Sequence, residues 1–86
     1  MRIVVTEKDI KLGRRCSTHS CPVALAISRH FRDVATVGVF GWDAVVSDRG
    51  TCRGRLPAKV GRWINRFDRK QRVAPIIFTW NPMGEV

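Results

Sequence analysis

The chain has 86 residues, 44% hydrophobic and 27% charged, and sixteen Lys and Arg against seven Asp and Glu give a net charge of +9. Such a length fits a single compact domain, residues 1–86, that hides about 60–65% of the surface its unfolded form exposes, which leaves little room for a deep, enclosed active site. The composition excludes a disordered chain, the apolar runs are far below the roughly 20 residues that cross a bilayer, and "MRIVVTEKDI" has no signal-peptide character, so a cytosolic protein is expected.

"RIVV" (2–5) reads as a strand. Thr6 and Asp9 have the spacing of a capping box, with Asp as a shorter substitute for Glu, and "EKDIKL" (7–12) is a one- to two-turn helix that Gly13 can stop in a left-handed conformation. After the loop 14–20, Ser20 or Cys21 caps a helix running to about residue 31, with Pro22 in its first turn. Val23, Ala24, Ile27 and Phe31 share one face of it, while Ser28, Arg29 and Arg32 face away. Asp33 looks like a turn residue.

From residue 34 the apolar period changes to two. "VATVGVF" (34–40) and "WDAVVS" (42–47) read as strands around Gly41, "SDRG" (47–50) as a turn, and "TCRGRL" (51–56) as the returning partner. Pro57 opens a second helix to about Asp68, and "VAPIIFTW" (73–80) is a last strand, with Pro75 near its start suiting an edge. The order predicts an α+β fold: two main helices packed on one face of a 4–5-stranded antiparallel or mixed sheet.

On a helical wheel Val60, Ile64 and Phe67 form an apolar arc with Trp63 at its border, and Lys59, Arg62 and Arg66 form a neighbouring basic stripe. Arg69 and Lys70 extend the stripe if the helix continues, and Arg53 and Arg55 lie on one side of the strand just upstream. Asp68 alone within the helix opposes these cations, whereas a purely structural surface interleaves both signs. Most of the cations are arginine, which suits bidentate contact with phosphate and carboxylate. Arg53, Arg55, Lys59, Arg62, Trp63, Arg66, Arg69 and Lys70 are therefore the candidate residues for contact with nucleic acid or another acidic partner, Trp63 by stacking on a base.

"RRCSTHSCP" (14–22) raises a second possibility. Cys16, His19 and Cys21, with Cys52 or His30, have the types of a zinc site, but the C-x2-H-x-C spacing is awkward for one tetrahedron and lacks a second knuckle, so no metal or other cofactor is expected. Cys21 at a helix start is a poor candidate nucleophile, because no Asn or Asp is evident to orient His19. The five aspartates are scattered singly, and no P-loop, dinucleotide fingerprint or Gly-x-Ser-x-Gly occurs. A non-enzymatic protein is expected.

"VTEKDI" (5–10) with Gly13, "CPVALAI" (21–27), "RLP" (55–57), "FD" (67–68) and "VAPIIF" (73–78) together resemble a family of small bacteriophage and prophage proteins of unassigned role. The resemblance implies a phage accessory protein in a bacterial host cell, acting on host machinery. Joined to the charge, it suggests binding of nucleic acid or a host nucleoprotein complex. The alternative is an anti-defence, anti-CRISPR-like inhibitor acting by protein–protein contact.

Overall fold

Arg2–Val5 is β1, which buries Ile3 and Val5 and exposes Arg2 and Val4. The computed structural model describes residues 1–31 and 35–85. The expected outward Arg32, the turn at Asp33 and the strand start at Val34 fall outside those residues.

Thr6 caps α1 (Glu7–Leu12). Its hydroxyl accepts from the Asp9 N–H, and the Asp9 carboxylate accepts from the Thr6 N–H at 2.9 Å, so the shorter acid does close the capping box. Gly13 departs from expectation. Its backbone is extended (φ −69°, ψ 150°), and what requires glycine there is space, since a Cβ would stand 2.5 Å from Cγ of the Pro22 ring.

Cys21 caps α2 (Pro22–Ser28), its Sγ accepting from the Ala24 N–H at 3.4 Å. The helix stops short of residue 31. The N–H groups of His30 and Phe31 bond back only three residues, to Ile27 and Ser28, which tightens the chain out of α geometry. Val23, Ala24, Ala26 and Ile27 are buried, and α2 packs on α1, β1 and the first strand of the next sheet.

That sheet is an antiparallel meander of β2 (Thr36–Phe40), β3 (Asp43–Ser47) and β4 (Thr51–Arg55). Val37, Val39, Ala44 and Val46 face the core. By register Gly38, Val45 and Arg53 lie across one another on the other face, as do Phe40, Asp43 and Arg55. Gly41 takes φ +61° as the first residue of the β2–β3 turn, the position where a type II′ hairpin wants glycine.

The next helix is α3 (Ala58–Asp68), and it ends in a Schellman motif: Gln71 N–H bonds the Arg66 carbonyl and Lys70 N–H the Phe67 carbonyl, both at 3.0 Å. Lys70 holds the left-handed position at φ +64°, so the helix does not continue through it. Val60, Trp63 and Phe67 are the buried residues of α3, and Ile64 is half-buried. The expected arc is therefore rotated by one position. The segment before the last core strand comes in on the Trp63 side, where the Ala74 carbonyl accepts from the indole Nε1 at 2.8 Å, and Trp63 stacks on Phe67 at 5.8 Å between centroids.

The last expected strand is β5 (Ile76–Thr79), and it pairs antiparallel with β1 rather than joining the meander. A short β6 (Met83–Glu85), not foreseen, lies antiparallel to β4. The fold is α+β, but the described strands divide between two antiparallel sheets, a two-stranded β1–β5 ribbon and the meander extended by β6 to the order β2-β3-β4-β6, so the expected last strand lies outside the four-stranded sheet. α2 spans the two and the core lies beneath it. Trp80 is its largest fully buried side chain, donating from Nε1 to the Gly54 carbonyl at 3.0 Å. Among the described residues no helix is long and apolar enough to cross a membrane.

Candidate functional site

The loop 14–20 is clamped at two points. Cys16, at φ +55°, donates its N–H to Asp68 Oδ1 at the end of α3 (2.9 Å), and the Thr18 carbonyl accepts from the Val39 N–H of β2 (2.9 Å). His19 Nδ1 lies 2.8 Å from the Val37 carbonyl, and because a carbonyl only accepts, the ring proton sits on Nδ1. The loop thereby bridges the β2 edge and the C-terminal end of α3. It also carries Arg15 to that end, with the guanidinium 5.4 Å from the centre of the Phe67 ring.

The zinc alternative has no geometry to support it: among the described residues no three His, Cys, Asp or Glu side chains are grouped so as to hold a metal ion. Cys21 is buried as a helix cap. Burial pushes its thiol above the ordinary value, which removes thiolate character and makes it a poor nucleophile.

The basic stripe is partly as expected and partly regrouped. Arg62 and Arg66 are exposed on α3 and have no hydrogen bond or ion pair among the described residues. Lys59 is instead tied to the ribbon, donating from Nζ to the Ile77 carbonyl at 3.0 Å. Arg69 and Lys70 stand at the helix end, where cations favour the dipole of the last turn, close to the anchor of the Arg15 loop. Arg53 and Arg55 belong to β4, just before α3. They lie on the face of the meander turned away from the core, where Arg55 stands opposite Asp43 and Arg53 opposite Val45 in register. Trp63 has to be withdrawn as a contact residue: only 3% exposed, with its ring and Nε1 both engaged, it cannot stack on a base.

The exposed aromatics are Phe40 (56%) and Trp42 (63%), on either side of Gly41, and sequence reading missed both as site residues. Each rests on a glycine. A Cβ on Gly38 would stand 2.7 Å from Phe40 Cε2, and one on Gly61 of α3 would stand 3.1 Å from Trp42 Cζ3. The signal in the sequence was G-x-F-G-W with a lone glycine inside the basic helix, a pattern that local periodicity assigns to no particular neighbour. Between the clamped loop, the β2–β3 turn and the flank of α3 opens a cleft of about 500 Å³, with Phe40, Trp42, Thr18, Arg62, Asn65 and Asp68 on its walls. This volume is in the range of about 300–1,000 Å³ in which small-ligand clefts fall. Comparison with models of known protein families, with curated proteins and with solved structures returned no match.

Proposed function

We propose that this is a non-enzymatic accessory protein of the phage type, at work in the cytoplasm of a bacterial host, that binds nucleic acid or a host nucleoprotein complex through the arginine face of α3. The observation that carries the reading is the uncompensated charge of that face. Arg62 and Arg66 point to solvent without an acidic partner among the described residues, Arg69, Lys70 and the loop-borne Arg15 continue the cations around the helix end, and Asp68 is engaged by the Cys16 N–H. A surface held at this cost in self-repulsion favours polyanions through long-range attraction.

The test is a titration of bare DNA and RNA at a series of salt concentrations. Engagement of three to five phosphates by these cations gives a log–log slope of roughly −2 to −4.5, at about 0.7–0.9 per phosphate. Absence of binding at low salt removes the reading. A second reading, an anti-defence inhibitor acting by protein contact, is favoured by Phe40 and Trp42, since exposed aromatics beside an arginine are the side chains that dominate protein interfaces. A bacterial target captured equally well before and after nuclease treatment, together with no affinity for bare nucleic acid, supports it.

A further inference from the structure

Trp42 is unlike the other two tryptophans. Trp63 and Trp80 are buried with their Nε1 groups bonded to carbonyls, whereas the Trp42 ring lies open on the cleft wall. Its backbone is nonetheless held: its carbonyl accepts from the Leu56 N–H, Gly41 sets the turn before it, and the ring leans on the backbone of α3 at Gly61. An exposed indole on a fixed mount loses little freedom when something flat stacks on it.

The rest of the cleft is graded in charge. Arg62 and Asp68 are six residues apart on α3, about 9 Å along the axis at 1.5 Å per residue, with Asn65 midway between them on the wall. An anion is drawn to the Arg62 end, while the Asp68 end offers carboxylate oxygens to a donor. Donors on a flat ring find acceptors in the Asn65 amide and in Asp68, one of whose oxygens is taken by Cys16.

We propose that this cleft seats one unpaired base of a single-stranded nucleic acid, stacked on Trp42, with its edge toward Asn65 and Asp68 and its phosphate on Arg62. The proposal rests on the nucleic-acid reading above and adds strand state and mode of contact to it. An aromatic shelf beside a cationic track is how single strands are held without sequence readout, and a base inside a duplex has no free face to offer. The cations Arg66 and Arg69 run on from Arg62 along α3, which gives the adjoining phosphates a path out of the cleft.

The experiment uses the whole protein and a 12-nucleotide single-stranded DNA, the same sequence as RNA, and the corresponding duplex DNA. The iodide-quenchable part of the intrinsic fluorescence reports on Trp42, because the other two indoles emit as well but are buried away from the quencher. Single strands should quench the emission, protect it from iodide and bind more tightly than the duplex. Trp42→Ala should weaken single-strand binding about tenfold or more, with the salt slope unchanged because no cation is removed, and Trp42→Phe should recover part of the loss. Equal binding of single strand and duplex, with unchanged emission and full affinity in Trp42→Ala, overturns the base seat and leaves the phosphate-binding reading standing. Failure of every nucleic acid to bind at low salt overturns both.

Discussion

Arg29 and Asp9 offer the clearest measure of how α1, the end of α2 and β1 are held together. Asp9 is a buried acid, only 4% exposed. The Arg29 guanidinium meets both of its oxygens, one at 2.8 Å, and also donates to the Val4 carbonyl of β1 at 2.7 Å. Burial alone would raise the Asp9 pKa, but the Arg29 hydrogen bonds, the Thr6 N–H and the Arg29 charge outweigh it and hold the carboxyl below its ordinary value of 3.8. Arg29→Met keeps the aliphatic stem and removes all three bonds. Loss of a fully buried pair costs about 3–5 kcal/mol. The Arg29 side chain is 48% exposed, so water replaces part of the interaction and roughly 2–3 kcal/mol is expected. For a domain of this size that is a fall in Tm of about 8–24 °C.

The pH dependence gives the sharper test. In the native protein the lowered Asp9 pKa contributes stability that is fully present above the unfolded value near 4 and is lost as pH falls through the folded value. In Arg29→Met burial goes largely unopposed, the folded pKa rises, and protonation relieves the penalty as pH falls. Thermal unfolding followed by circular dichroism between pH 7 and pH 3 should show the gap between the two proteins closing toward acid. A gap that is constant or widens toward acid refutes the argument, because it would place the effect of Arg29 in packing rather than in the carboxylate.

Arg62→Glu with Arg66→Glu should shift Tm by no more than about 2–4 °C, since exposed unpaired charges are worth about half a kcal/mol, while flattening the salt slope of nucleic-acid binding by about 1.4–1.8; full binding by the folded variant returns this stripe to an ordinary solvated surface. Gly54→Ala places a Cβ 2.6 Å from Trp80 Nε1 and 3.0 Å from Pro82 Cα, and with Trp80 fully buried it should cost about 2–3 kcal/mol in denaturant unfolding through overpacking and loss of the indole hydrogen bond. Lys70→Gly relieves a left-handed residue worth about 1–2 kcal/mol against about 0.5–1 kcal/mol of extra chain entropy, so the midpoint in urea should rise by an amount equal to about half to one kcal/mol.

The sequence by itself determined whatever depends on residues within a turn or two of one another. The Thr6–Asp9 capping box, Pro22 in the first turn after a capping Cys21, the two hairpins around Gly41 and "SDRG", and the outward Arg62 and Arg66 were all legible, because caps, turns and amphipathic periods are set by near neighbours. Tertiary structure alone decided which distant pieces meet. β1 took β5 as its partner across most of the chain length, which split the anticipated sheet, and the arrival of Ala74 beside Trp63 turned α3 so that this indole went inside and Ile64 moved to the cleft wall. The same holds for the glycines, since Gly13 and Gly54 are demanded by Pro22 and Trp80, each at least nine residues away, and Gly61 lies under Trp42. A wheel or an alternation pattern states that a face exists. Only packing chooses its occupant, because contact free energy depends on the surfaces brought together and not on their order in the chain.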